Sequence, residues 1–208
     1  MIEYSEKIKK RYNRYSYLYD FLEFLPEQLF FRHYRRQIIS TLKGKVLEIG
    51  VGTGKNLGYY QEDTQVTAID FSPQMLAVAN RQLDILGRKN ITLQLADVEK
   101  LPFPDHYFDM VVATFVFCSV PNPVRGLEEV RRVLKVGGQA IFLEHVRSSN
   151  RLVAKLQDLF NPITLGLTGT NINRRTRENI IKAGLELVED KKMGMGDIVR
   201  LFVARPSN

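Results

Sequence analysis

The stretch Val46-Leu47-Glu48-Ile49-Gly50-Val51-Gly52-Thr53-Gly54 constrains this chain more than any other. An apolar run closing on an acid, then glycines at alternate positions, predicts a strand, a tight turn and the start of a helix. Twenty residues beyond Gly50 a second apolar run, Val66-Thr67-Ala68-Ile69, ends in Asp70. Two such units belong to an open α/β sheet, whose ligands lie in the crevice at the carboxyl ends of the strands. Glycine allows the sharp turn and lets a ligand approach the backbone, because no Cβ intervenes. A carboxylate at the second strand's tip can accept hydrogen bonds from both hydroxyls of a ribose.

Spacing narrows the ligand. The dinucleotide fingerprint is G-x-G-x-x-G, but here the order is G-x-G-x-G and Lys55 stands at the third glycine's place. A P-loop needs a hydroxyl after Gly-Lys, and Gly54-Lys55 is followed by Asn56. Glu48 would repel a phosphate and suits a ligand carrying ammonium and sulfonium charge.

Glu48-x-Gly50-x-Gly52-x-Gly54 followed by Asp70 resembles motif I and the next strand end of the class I S-adenosylmethionine (SAM) methyltransferases, whose co-product is S-adenosylhomocysteine. Asp70-Phe71-Ser72-Pro73-Gln74-Met75-Leu76 is similar to the family's D-x-S-x-x-M-L stretch, and Ala96-Asp97 with Leu101-Pro102-Phe103 to its G/A-D-x-x-x-L-P-F signature. Arg132-Val133-Leu134-Lys135-Val136-Gly137-Gly138 resembles its R-V-L-K-P-G-G turn, with Val136 replacing proline. The resemblance implies that Asp70 holds the ribose, Met75 packs on adenine, Asp97 accepts from the adenine amino group and Val98 offers backbone N–H to the ring. Phe71 and Thr114 complete that cofactor side. Read alone, Met75 also suits a core and Asp97 a turn cap. The implied fold is α/β: a Rossmann-like, seven-stranded, mostly parallel sheet with an antiparallel C-terminal hairpin (185–191 and 198–204) and helices on both faces.

The 208 residues, 44% of them hydrophobic, suffice for one domain with a proper core. The division expected is a helical lid or membrane-associating segment, 1–43, ahead of a methyltransferase domain, 44–208, with a substrate-side insertion at 147–177. No apolar run approaches a membrane span, and Met1-Ile2-Glu3-Tyr4 does not read as a signal peptide. The single cysteine, Cys118, and three scattered histidines predict neither an internal disulfide nor a metal site.

A net charge of +7 implies an acidic partner, nucleic acid or an anionic membrane. Residues 4–24 carry Ile8, Tyr12, Tyr15, Tyr19 and Leu22 at helical steps among Lys7, Lys9, Lys10, Arg11 and Arg14, and 29–39 again mix aromatic and basic residues. Such faces suit an anionic bilayer interface, or a solvated lid over the domain. No RNA-binding module is recognisable, so no nucleic-acid partner is expected. A cytoplasmic protein held peripherally at the inner membrane face follows.

Arg11 to Asp20 resembles the Y-x-x-x-A-x-x-Y-D opening of the ubiquinone/menaquinone C-methyltransferases and of the soluble bacterial phosphatidylethanolamine N-methyltransferases. Phe142-Leu143-Glu144-His145-Val146, Phe160-Asn161-Pro162 and Gly169 to Arg174 are closer to the second group. These resemblances imply a lipid-type acceptor: phosphatidylethanolamine first, a quinone precursor second, a small hydrophobic thiol third. A SAM-binding regulator without turnover is the rival from another class.

For an amine acceptor a base must take a proton. His145, at the end of the fifth strand, is the candidate catalytic base, or else a hydrogen-bonding member of the crevice. Tyr15 and Tyr19 are expected to line the cofactor pocket, and Tyr19 in particular to orient an ammonium by cation–π contact. Arg174 and Arg175 suit phosphate oxygens, or an exposed helix start. Leu152, Leu156, Leu159 and Phe160 form a helical stripe suited either to a core or to acyl chains. Thr114-Phe115-Val116-Phe117 stands where enzymes of base amines or protein glutamine carry N/D-P-P-Y/F, which argues against a planar amide or base acceptor.

Overall fold

The computed structural model describes residues 31–193 and 197–207. Seven strands form one sheet in the order β3-β2-β1-β4-β5-β7-β6. They are β1 (Lys45–Ile49), β2 (Gln65–Asp70), β3 (Ile91–Leu95), β4 (Phe108–Thr114), β5 (Leu134–His145), β6 (Leu185–Lys192) and β7 (Val199–Pro206). The helices are α1 (Arg32–Ile39), α2 (Pro73–Leu86), α3 (Pro123–Val133), α4 (Arg151–Thr168) and α5 (Thr176–Lys182).

β1 pairs in parallel with both β2 and β4, and β4 with β5, while β7 runs antiparallel between β5 and β6. The expected mostly parallel sheet with its C-terminal hairpin is thus present. The chain leaves β1 toward β3 on one side and returns to β4 on the other, so the carboxyl ends of β1 and β4 flank the switch point where open α/β sheets bind ligands.

Alternating side chains send each strand's residues to two cores. Leu47, Ile49, Val111, Ala113 and Phe142 enter one, and Val46, Ala68, Val112 and Leu143 the other. Burial on both faces is why these strands read as continuous apolar runs. The turn residues act as their types dictate. Ser72 caps α2 by accepting from the Met75 N–H at 3.2 Å, with Pro73 in the first turn. Asn122 caps α3 and Asn150 caps α4 in the same manner.

Phe31, Ile38, Ile39 and Leu42 are buried in the same core as Val46 and Val112. Residues 31–42, the described end of the expected segment 1–43, are therefore built into the body of the fold. Tyr15, Tyr19 and the predicted helix over 4–24 lie outside the described residues.

Candidate cofactor and acceptor site

The glycine turn leaves β1 with Gly50, Gly52 and Gly54 all at positive φ. At Gly50 a Cβ would stand 2.5 Å from Val116 Cγ2, so only glycine lets the β1 turn and the segment after β4 meet. A Cβ on Gly52 would meet nothing within 4 Å, so that backbone faces open space. This is the surface a ligand can approach.

Asp70, at the tip of β2, faces the turn. Its Oδ2 accepts the Gly52 N–H and its Oδ1 the Ser72 N–H, each at 2.9 Å. Burial pushes its pKa up to about 6 against the pull of these N–H donors. The turn and the carboxylate are thus mutually fixed before any ligand arrives.

Two adjoining hollows open here. One, about 510 Å3 with its mouth, is largely apolar and is lined by Phe71, Asp97, Val98, Val120 and Pro121 among others. The other, about 610 Å3 with its mouth, is lined by Arg35, Gly52, Lys55, Met75, Thr114 and Phe115 among others. Gly50, Asp70, Phe71, Val116 and Ser119 border both. Asp97 borders the apolar hollow, Arg35 and Lys55 border the other, and the Asp70 carboxylate lies between them, shared by both. Met75 borders the cationic hollow, and Phe71, Val98 and Val120 line the apolar one beside Asp97.

Glu48 departs from expectation. Its carboxylate sits beneath the turn, fully buried, and takes hydrogen bonds from Asn56 Nδ2 and Tyr60 Oη, each 2.8 Å. Burial raises the pKa of both Glu48 and Tyr60. Asn56 Nδ2 also donates to Thr114 Oγ1 at 3.1 Å, and Arg35 Nη1 donates to Thr114 Oγ1 and, at 3.2 Å, to Asn56 Oδ1. Glu48 therefore supports the turn and the end of β4 through Asn56 rather than facing the ligand's cationic end. Gly54 likewise serves packing, since a Cβ there would fall 2.8 Å from Leu57 Cδ1.

Sequence reasoning missed Arg35. It lies in a basic, aromatic stretch that reads as a membrane face, yet its side chain is 6% exposed, borders the cationic hollow and stacks 5.1 Å over the Phe115 ring. A buried guanidinium at that end suits a carboxylate. Helical phase was the available signal: Arg35 shares the inward side of α1 with Ile38 and Ile39, whereas Arg32 and Arg36 are exposed.

His145 ends β5 behind Phe115, which lines the same hollow. Its ring lies 4.5 Å from that of Phe115, centroid to centroid, and 5.6 Å edge-on from Phe31. Phe115 holds a left-handed backbone, φ 61°, fixed by its N–H to the Leu143 carbonyl at 2.7 Å. Arg174 does not join this cluster. Its guanidinium donates to the carbonyls of Cys118 and Val120, at 3.1 and 2.9 Å, and so ties down the loop after β4. Arg175 is exposed and pairs with Glu178 at 3.5 Å. Both guanidiniums, expected to suit a phosphate, have protein acceptors in this structure.

A doubly wound sheet carrying an adenosine-shaped cleft at its switch point defines a nucleoside-cofactor-binding protein of the class I methyltransferase type. Residues 47–142 match the model of the methyltransferase domain family. A phosphatidylethanolamine N-methyltransferase of Cereibacter sphaeroides is 41% identical over 108 residues, covering 51% of this chain and 53% of that one. The ubiquinone/menaquinone biosynthesis C-methyltransferase UbiE of Pseudomonas fluorescens is 33% identical over 175 residues, 79% of this chain and 68% of the relative. A Thermotoga maritima SAM-dependent methyltransferase superposes with a TM-score of 0.73 at 20% identity, over 95% of this chain and 99% of that one. The chain belongs to the class I SAM-dependent methyltransferases, and its cofactor is SAM. The matched stretch spans about half to two thirds of the curated relatives' length.

Proposed function

We propose that the protein transfers the SAM methyl group to the amine of phosphatidylethanolamine, working peripherally at a membrane surface. The observation that carries this reading is the aromatic cluster of Phe31, Phe115 and His145, of which Phe115 lines the cationic hollow and the other two pack behind its ring. Aromatic faces attract an ammonium, and an imidazole can take its proton. The 41% identity to a phosphatidylethanolamine N-methyltransferase supports the same acceptor.

When bound, SAM supplies an electrophilic methyl on a sulfonium leaving group. The residues then have to position, exclude water and manage one proton. Asp70 would hold the sugar hydroxyls and Arg35 the carboxylate, both from the hollow they line. Phe115 and Phe31 dehydrate the approach. His145 would take the ammonium proton, leaving the nitrogen lone pair free to accept the methyl group that bound SAM would supply. Alignment alone accounts for about 7–11 kcal/mol of barrier in favourable cases.

A second reading, C-methylation of a quinone precursor, is favoured by the longer alignment to UbiE. Incubating the purified protein and methyl-labelled SAM with a total lipid extract separates them. Label in the phospholipid fraction is expected; label confined to the quinone fraction overturns the first reading in favour of the second.

A further inference from the structure

α4 is an amphipathic helix turned inside out. Its two buried residues are Ala154 and Gln157, and the bonds inward come from polar side chains. Gln157 is 7% exposed, donates to the carbonyls of Val146 and Ile172 at 3.0 and 2.7 Å, and accepts the Ser148 N–H at 2.7 Å. Asn161 Oδ1 accepts the Ile172 N–H at 2.9 Å. The opposite side carries Leu152, Leu156, Leu159, Phe160, Ile163 and Leu167, exposed to between 48% at Leu156 and 69% at Leu152. At 3.6 residues per turn these six share an arc of roughly 100°, the width of a normal core-facing stripe. Six large apolar side chains in one such arc form the kind of exposed patch that marks an interaction site.

We propose that this outward face of α4 is the docking surface for an anionic bilayer; the inference deepens the lipid-acceptor reading and rests on it. Charge selects the occupant. The one acid on α4, Asp158, is neutralised by Arg147 at 2.7 Å. Exposed Arg151 and Lys155 border the stripe, on a chain of net charge +7. Two copies meeting through this face would bring the same cationic edges together, whereas an anionic bilayer offers an apolar interior behind opposite charge. A helix of this pattern lies in the interface plane with its apolar side sunk about 5–10 Å.

The face also stands where docking serves the reaction. α4 runs into Gly169 and the segment whose Asn171 and Arg174 bond the Cys118 and Val120 carbonyls. Those carbonyls belong to the loop that walls the apolar hollow through Ser119 and Val120. A helix seated on the bilayer therefore lies next to the cleft that a lipid headgroup must enter. No described helix is long and apolar enough to cross a membrane, so the contact is a surface one.

The test uses the full chain and vesicles of phosphatidylglycerol and phosphatidylethanolamine. Cys118 is buried, so a thiol introduced by Leu159→Cys takes an environment-sensitive fluorophore selectively. Its emission is expected to be water-like in buffer and to shift to the blue with these vesicles, and far less with phosphatidylcholine alone. The double variant Leu159→Glu/Phe160→Glu is expected to lose vesicle affinity by at least about tenfold while binding SAM normally in calorimetry.

Vesicle binding by the double variant equal to the parent's overturns the proposal. So does a fluorophore already shielded in buffer: independently of protein concentration if residues 1–30 cover the stripe, or rising with concentration if a second copy does. Methylation of monomeric dihexanoyl phosphatidylethanolamine, which needs no docking, tests the acceptor separately. If that lipid is methylated but the vesicle results fail, the docking surface falls alone. If it is not methylated although the charged variant loses vesicles, the acceptor falls and the surface stands.

Discussion

Glu144 and Arg174 grip one loop through opposite polarities. The Glu144 carboxylate accepts the N–H groups of Val116 and Phe117, both at 3.0 Å, and the Arg174 guanidinium donates to the carbonyls of Cys118 and Val120. Their own charges also attract. The loop so held provides Val116, Ser119 and Val120 to the cofactor cleft. Glu144→Ala leaves two N–H groups without an acceptor, a cost of about 1–3 kcal/mol for each one left buried. The expected result is a melting temperature lower by several degrees and weaker SAM binding. Glu144→Gln keeps an acceptor oxygen and is expected to retain most of both, which calorimetry with SAM and thermal unfolding will measure.

Two buried carboxyls give stability and affinity opposite responses to pH. Burial raises Glu144 from 4.5 to about 7 and Asp70 from 3.8 to about 6. A raised folded-state pKa gives stability that is present at low pH and is lost as pH rises through the folded value. The cofactor-free protein should therefore melt at progressively lower temperature between about pH 5 and 8. Asp158, held near 2 by Arg147 and Asn173, stays ionised throughout and adds no slope there. SAM affinity should instead fall as pH drops below about 6, because a protonated Asp70 loses acceptor capacity for the ribose hydroxyls. Asp70→Asn should bind SAM weakly at every pH and remove that fall; titration calorimetry across the range decides it.

Gly52→Ala separates the cofactor's space from the fold's. The backbone there is left-handed, φ 56°, which costs an alanine about 1–2 kcal/mol. The added methyl meets no protein atom within 4 Å, so the protein is expected to fold with only that loss. SAM affinity is expected to drop much further, because the methyl occupies the approach to the cleft. A SAM affinity loss no larger than the stability loss would contradict the ligand path drawn here.

Arg35 makes a chemical prediction. If its guanidinium meets the methionine carboxylate, the parent protein binds SAM more tightly than decarboxylated SAM, by about ten- to a hundredfold for one charge-assisted pair of about 1.5–3 kcal/mol. Arg35→Met should bind both compounds alike. Preference retained in that variant would assign the carboxylate to another group, Lys55 being the next at the same hollow.

The cleft was legible because its chemistry is local. Glu48 through Gly54 and the Asp70 tip carry strand, turn and acid in adjacent residues, and the hairpin at the C-terminus followed from the family resemblance. Roles that depend on which way a side chain turns were not. Glu48 stands at the motif's ligand end in sequence but is drawn beneath the turn by Asn56 and Tyr60. Arg174 reads as an anion site until the loop carbonyls it binds, more than fifty residues earlier, are in view. The α4 stripe had the correct period but no sign. Periodicity finds an apolar face without saying which side is inward, and only the bonds of Gln157 and Asn161 settle that.

Phe115 is the residue after β4, held at φ 61° with its ring between Arg35, Phe31 and His145. No L-residue adopts that twist for its own benefit, so the surrounding contacts keep a small spring compressed at the mouth of the cleft. Any event that moves α1 or the tip of β5 changes what restrains the spring. Through this single ring, the segment that opens the described chain and the strand that ends in His145 are mechanically one part.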